Sequence, residues 1–406
     1  MRRVVITGIG VVSPVGIGKE SYWKSISQGK SGIAPITRFD TAEFKANLAA
    51  EVKDFNAVDF MDKKESRRSD LYCQYALAAA KMAAEDGNAG DFSGFDKSRV
   101  GVIIGSGIGG IETFETEHTK LMEKGPGKVS PLFIPMMISN MASGMVSIAY
   151  GIGGVSFCPV TACAAASHAI GEVYRYIKDG SLDAALCGGA EAAITPISVA
   201  GFANMTALCE QDDPNAASLP FDKRRNGFVI GEGAAVLLVE SYDSAVKRGV
   251  PVYCEVLGYG ASSDAYHMTG PDPEGKGAAA AMKLALGNTL PGEVDYINAH
   301  GTGTPLNDPM EVRAVKAVFG SAPPPISSTK SMTGHLLGAA GGIEAAACAL
   351  AIKHGLLPPT INYKEPDDEC DVDVVPNQAR PCNVRRAMSN SLGFGGHNAS
   401  LLFGYI

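Results

Sequence analysis

Between Val129 and Gly171 the chain carries no Asp, Glu, Lys or Arg. An uncharged stretch of that length either spans a membrane or must be covered by protein. Pro131, Pro135, Asn140 and Pro159 interrupt it, with many Gly and Ser, so it cannot run as one apolar helix. Burial in the interior, continued into a subunit interface, satisfies it. Its last part, VTACAAASHAIG from Val160 to Gly171, places Cys163 at the head of a helical pattern. Ala166, Ile170, Val173 and Ile177 recur at helical spacing and Gly180 ends the run. Because Val155–Cys158 reads as a buried strand, Cys163 falls at a strand-to-helix turn.

A thiol in that position meets unpaired N–H groups and the positive end of the helix dipole. Both favour thiolate, and the same N–H groups can hold an oxyanion. A structural role is the alternative, since cysteine is among the most buried residue types. The nine cysteines are scattered, with no CxxC pair to suggest zinc, so free thiols in a reducing compartment are expected.

Short apolar runs alternate with helical patterns, which predicts an α/β fold. Val4–Thr7, Val100–Gly105 and Ala184–Gly189 read as further buried strands. A second series follows KRGVP (Lys247–Pro251), with helices expected over Pro309–Phe319 and Gly338–His354. At 406 residues the chain exceeds the usual size of one domain. Two α/β halves, 1–250 and 251–406, follow. The start, MRRVVITGIG, enters a strand at once and lacks a signal peptide's apolar segment, so a soluble cytoplasmic protein is expected.

Three further clusters carry candidate chemistry. His300, in NAHGTGTPLND, follows a predicted strand, and Thr302 and Thr304 beside it offer hydroxyls for an amide-rich ligand. His335 lies between Lys330 and Glu344. A carboxylate inside so apolar a helix needs a cation, and Lys330 is its natural partner. Phe394 sits in GFGG, where flanking glycines leave the ring free to move. Each has a bland reading: a satisfied turn histidine, a structural ion pair, a hairpin turn. Together they suggest a thiol served by imidazoles, and no metal, since the histidines sit in separate loops.

The net charge of −8 gives no general field for nucleic acid. Against it, DKKESRRSD concentrates Lys63, Lys64, Arg67 and Arg68, with 63/67 and 64/68 expected to stack at i,i+4 on a helix. This is either a solvated face or a dock for an acidic partner. GIGVVSPVG and GSGIGG are weak matches to a dinucleotide fingerprint, which disfavours an oxidoreductase.

VTACAAASHAIG, NAHGTGTPLND, STKSMTGHLLGAAGGIE and SNSLGFGGHNAS, in this order, resemble the β-ketoacyl-[acyl-carrier-protein] synthases, nearest the synthase II branch of bacterial type II fatty-acid synthesis. The resemblance runs from VVITGIGVVSPVG to the last strand. It implies a thiolase-like fold of two related halves in a five-layered αβαβα arrangement. It also implies a homodimer in which the strand before the nucleophile helix pairs across the interface.

By the same resemblance, Cys163 takes the acyl chain from acyl carrier protein. His300 and His335 promote decarboxylation of malonyl-carrier protein, the Cys163 and Phe394 N–H groups form an oxyanion hole, and Lys330 with Glu344 positions His335. Phe394 matches a gate. Ile108 and Phe202 match positions near the acyl pocket and pantetheine arm, and Thr302 and Thr304 match hydroxyls holding that arm. No redox cofactor is implied. Some members bind a monovalent cation near positions matching Asn298, Glu344, Ser389 and Asn390. Carrier proteins are acidic, which gives the Lys63/Lys64/Arg67/Arg68 cluster a partner.

Synthase I and type II polyketide ketosynthases share these motifs. Synthase III is disfavoured, because it pairs Cys with His and Asn. A non-catalytic subunit of the chain-length-factor type would lack the cysteine. Two departures stand out: Ala166 occupies a position where the family often has Gly, which narrows the space there, and an Arg often found after the Phe202 region is missing from GFANMTALC.

Overall fold

The computed structural model describes residues 1–406. The first half of the chain supplies strands β1 (Val4–Ser13), β2 (Val100–Gly105), β3 (Ser156–Phe157), β4 (Ala184–Glu191) and β5 (Gly233–Ser241). The second supplies β6 (Cys254–Ser263), β7 (Tyr296–Asn298), β8 (Ile326–Ser327), β9 (Arg386–Gly393) and β10 (His397–Gly404). Their spatial order is β3-β2-β4-β5-β1, continued as β6-β10-β9-β7-β8. In the first series β2 runs parallel to β3 and β4, while β4–β5 and β5–β1 are antiparallel. The second repeats this strand for strand: β7 is parallel to β8 and β9, while β9–β10 and β10–β6 are antiparallel. The series meet where Val5 pairs Glu255 and Ile6 pairs Cys254.

Five helices complete the layers: α1 (Leu71–Asp86), α2 (Ala165–Lys178), α3 (Lys276–Leu286), α4 (Asn307–Phe319) and α5 (Ala340–His354). Helix α1 covers the outer face of β1, β5 and β4, and α3, with α4 beside it, covers β6 and β10. Helices α2 and α5 lie between, each touching strands of both series. That is the five-layered αβαβα arrangement.

The Gly- and Ala-rich composition follows from how closely these layers approach. A Cβ on Gly8 or Gly10 would strike the carbonyl oxygens of Ala83 and Ala79 in α1. The second half repeats the device, since Gly258 and Gly260 lie against the Ala285 and Ala281 carbonyls of α3. Helix α5 is buried on nearly every side, so its sequence AGGIEAAACALAIKH shows no polar face.

Most expected elements are present with shifted ends. The Val4–Thr7 strand continues to Ser13, and the α5 helix starts at Ala340 because residues 337–339 form a 3-10 turn. The basic helix is corrected. It is one turn, Lys63–Ser66, with Arg67 as its C-cap and Arg68 beyond it, so the four side chains do not form two stacked i,i+4 pairs; all are exposed.

The uncharged run divides. Helix α2 is largely buried, whereas Ile134, Ile148 and Val160 are 55%, 76% and 56% exposed. Strand β3 ends the sheet with one edge unpaired. No helix is long and apolar enough to cross a membrane.

Candidate active site

The two central helices begin alike. Helix α2 is preceded by a 3-10 turn, Ala162–Ala164, entered through Ala162 at φ 48°. Helix α5 is preceded by the turn Leu337–Ala339, entered through Leu337, also at φ 48°. Left-handed backbone at a residue with a side chain is strained and survives only where its surroundings hold it. Cys163 occupies the middle of the first turn, and Gly338 the matching place in the second.

Both turns open on a cavity of about 500 Å³. Its lining includes Cys163, His300, His335, Phe394, Ile108, Phe202, Thr302 and Thr304, brought together from both halves of the chain. Lys330 and Glu344 lie behind the histidines, each 1% exposed.

Burial pushes the Cys163 thiol up to about 12. Glu191 adds to the rise, while the Lys330 charge and the Phe394 N–H oppose it. The thiolate expected from the helix end is therefore not the resting form, because loss of solvation outweighs it. The Phe394 N–H reaches the thiol because Gly393 brings its strand end against the turn: a Cβ on Gly393 would lie 2.8 Å from the Thr161 oxygen and 3.2 Å from the Cys163 nitrogen.

The histidines are buried and held neutral. Burial is the main cause for both, with the Lys330 charge adding to it, and each lies well below the ordinary imidazole range. Their tautomers follow from their neighbours. His335 Nδ1 accepts the Leu337 N–H at 3.2 Å, so its proton sits on Nε2, which has no protein partner. His300 Nδ1 faces the Lys330 ammonium at 3.5 Å, which likewise leaves the proton on Nε2. The rings approach edge-on with centroids 5.3 Å apart. Two neutral imidazoles thus each present an N–H donor.

Lys330 fills its three donor positions with Glu344, the His300 carbonyl (2.6 Å) and His300 Nδ1. It therefore grips His300 directly, which corrects the expectation that the pair acts on His335. His335 is instead set by its backbone N–H to the Val229 carbonyl (2.7 Å), by the Leu337 N–H, and by the Phe228 ring at 5.1 Å.

Sequence reasoning missed Glu311. Its two oxygens accept the His300 and Gly301 N–H groups, both at 2.8 Å, and fix the loop that carries His300. In the sequence it reads as an ordinary acid in a helix's first turn. Asp308, fully buried, similarly accepts the Gly303 and Phe221 N–H groups. Thr302 and Thr304 join hydroxyls at 3.0 Å on the cavity wall. Ala166 does not narrow the cavity: it is buried outside the lining, against Gly189. Met205 and Thr206 line the cavity in the segment that lacks the family's Arg.

Residues 1–245 match the β-ketoacyl synthase N-terminal domain and residues 253–364 the C-terminal domain. The chain is 49% identical to a 3-oxoacyl-[acyl-carrier-protein] synthase 2 of Synechocystis sp., over 99% of this chain and 98% of that one. Among solved structures, the ishigamide ketosynthase/chain length factor superposes with a TM-score of 0.95 at 39% identity, covering 100% of this chain and 99% of that chain. A type II polyketide synthase acyl-carrier protein in complex with its ketosynthase bound to the hexaketide gives 0.92 at 34% identity, covering 100% of both. This chain belongs to the β-ketoacyl synthase family; it has the thiolase-like fold and is an acyltransferase that elongates fatty acyl chains by condensation.

Proposed function

We propose that Cys163 carries the growing acyl chain and that His300 and His335 drive loss of carbon dioxide from a malonyl thioester, both substrates arriving on acyl carrier protein. The observation that supports this best is the convergence of one thiol and two Nε2–H donors on one cavity.

In the first half-reaction Cys163 sulfur attacks the acyl thioester carbonyl. The oxyanion rests on the Cys163 and Phe394 N–H groups, and the thiol proton ends on the departing pantetheine sulfur, so no net base is required. In the second, the malonyl carboxylate leaves as carbon dioxide while the enolate oxygen accepts hydrogen bonds from His300 and His335. The enolate carbon then attacks the acyl-Cys163 carbonyl, the Cys163 thiolate is expelled, and it regains a proton from water. Donors already aimed where charge develops need no reorganisation. Phe394, between glycines, acts as the gate that separates admission of the acyl group from admission of the malonyl group. Ile108 and Phe202 bound the acyl pocket, and Thr302 and Thr304 hold the pantetheine arm. The nucleophile belongs to half 1–250 and the histidines, Lys330, Glu344 and Phe394 to half 251–406.

Intact mass spectrometry of the protein incubated with acyl-carrier protein is expected to show one acyl adduct, on Cys163. No adduct, or one on another cysteine, overturns the assignment. His335→Ala is expected to lower carbon dioxide release from malonyl-carrier protein by roughly 10²–10³-fold, the usual cost of removing a donor to a developing oxyanion. Unchanged release removes His335 from the mechanism.

The exposed Lys63, Lys64, Arg67 and Arg68 are the proposed dock for the acidic carrier protein. Reversing all four to Glu is expected to raise KM for acyl-carrier protein about tenfold at low salt, and less at high salt, where screening weakens both proteins. Equal KM at both salt concentrations places the dock elsewhere. The open edge of β3 and exposed Ile134, Ile148 and Val160 support a homodimer through this face. Neither nucleic acid nor a membrane is part of this reading, and the cytoplasm is the proposed compartment.

A structural monovalent cation also fits. Asn298 Oδ1, Glu344 Oε2 and Ser389 Oγ are buried without hydrogen-bond partners, and Asn298 and Ser389 pair in register. Asn390 Oδ1 accepts the Ser400 hydroxyl at 2.8 Å. An all-oxygen set with one carboxylate suits a hard, weakly charged ion. When bound it supplies charge compensation; no organic or redox cofactor is part of this reading.

A further inference from the structure

One buried carboxylate takes no part in the steps above. Glu191, the last residue of β4, is fully buried and forms no ion pair; each of its oxygens instead takes two donors. Oε1 accepts the Ser106 hydroxyl at 3.0 Å and the Ile108 N–H at 3.2 Å. Oε2 accepts the Gly107 N–H at 2.7 Å and the Gly338 N–H at 3.0 Å. Gly107 and Ile108 line the cavity, and Ser106 lies fully buried just before them. Gly338 belongs to the opposite turn, next to Leu337, whose N–H sets the tautomer of His335. The two walls touch only because both residues are glycine: a Cβ on Gly338 would strike the Gly107 nitrogen, and one on Gly107 would lie 2.9 Å from the Glu191 carboxylate.

We propose that Glu191 is a positioning residue that locks the Ile108 wall of the acyl pocket to the turn that orients His335, so that one carboxylate sets both half-reactions. The inference rests on the roles given above to Ile108 and His335, and adds a physical connection between them. A buried anion satisfied by four donors holds both loops only while all four bonds stand, because each lost bond leaves charge unsatisfied in an apolar setting. Displacing Ile108 pulls on the carboxylate that also holds Gly338.

Glu191→Gln tests this. The amide keeps the shape, but its NH2 must face at least one backbone N–H that cannot accept. At the Oε2 place it loses both the Gly107 and Gly338 bonds, and at the Oε1 place it loses the Ile108 bond while the Ser106 hydroxyl turns to accept. Competent sites are counted from the final amplitude of enzyme acylation by acyl-carrier protein. Carbon dioxide release from malonyl-carrier protein, per competent site, is expected to fall about tenfold, as for a small misplacement of a reacting group. The order of acyl-chain lengths accepted in enzyme acylation is expected to change in the same variant. A purely structural role lowers the number of competent sites and leaves the per-site rate and the chain-length order as they were. Ser106→Ala, which removes one donor, is expected to move both readouts in the same direction by about two- to threefold, and it carries the test if Glu191→Gln does not fold. Unchanged readouts, or a change in only one of them, overturn the connection. A His335→Ala protein that still decarboxylates at the wild-type rate overturns the reading beneath it instead.

Discussion

Cys163→Ala is expected to abolish condensation, with kcat/KM for acyl-carrier protein down by roughly 10⁴-fold or more, while malonyl-carrier protein is still decarboxylated. The first effect follows because no other thiol lines the cavity: its remaining wall is built from apolar side chains, glycines, hydroxyls, amides, the two histidines and Asp264. Without a covalent intermediate the reaction must join two carrier-bound substrates in one step, which removes the advantage of splitting it. The second effect follows from the division of the site. The two Nε2–H donors are oriented by Lys330 and by the Leu337 N–H, neither of which involves the thiol. Carbon dioxide release and ketoacyl product, measured in the same incubation, check both. Loss of decarboxylation with condensation would show that Cys163, and not the histidine pair, governs the second half-reaction.

Lys330→Met is expected to cost about 3–5 kcal/mol of folding stability, as breaking one member of a buried ion pair does. Lys330 and Glu344 are each 1% exposed and bonded to one another, and burial already pushes the Glu344 carboxyl above its ordinary range, with the Lys330 charge opposing. Removing the ammonium leaves an anion in an apolar helix and releases the His300 carbonyl and Nδ1. The double variant Lys330→Met/Glu344→Gln is expected to regain most of the stability, because no unpaired charge remains, and to stay deficient in decarboxylation, because His300 is no longer held. Urea unfolding midpoints beside carbon dioxide release separate the two. A double variant with full activity removes Lys330 from the positioning of His300.

Most of the layout was legible before folding. The alternating elements, the thiol at a strand-to-helix turn, the ion pair implied by Glu344 in an Ala-rich helix and the glycine-flanked Phe394 are local patterns, and local patterns survive in sequence. What escaped depends on distance in space. Glu311 and Glu191 look like ordinary acids, one in the first turn of a helix and one at the end of a strand. Their roles come from N–H groups up to 147 residues away. The two related halves were implied by the family resemblance and hardly by the residues themselves: the period is about half the chain, and the repeat's signature is strand order, with little more in sequence than Gly8-Ile9-Gly10 and Gly258-Tyr259-Gly260 facing alanines.

The sequence by itself determined which groups could do chemistry, because a thiol, two imidazoles and a Lys–Glu pair are fixed by residue type, and the turns beside His300 and Phe394 by glycine, whereas the turns at Cys163 and after His335 are entered through left-handed Ala162 and Leu337. Only the tertiary structure decided their states. Burial makes Cys163 a resting thiol and not a thiolate, since desolvation acts through every neighbour at once. The positions of Lys330 and the Leu337 N–H leave both histidines with the proton on Nε2. Lys330 serves His300 and not His335, although it lies only five positions from His335 in sequence, because proximity along the chain does not set which side chains meet in a folded core.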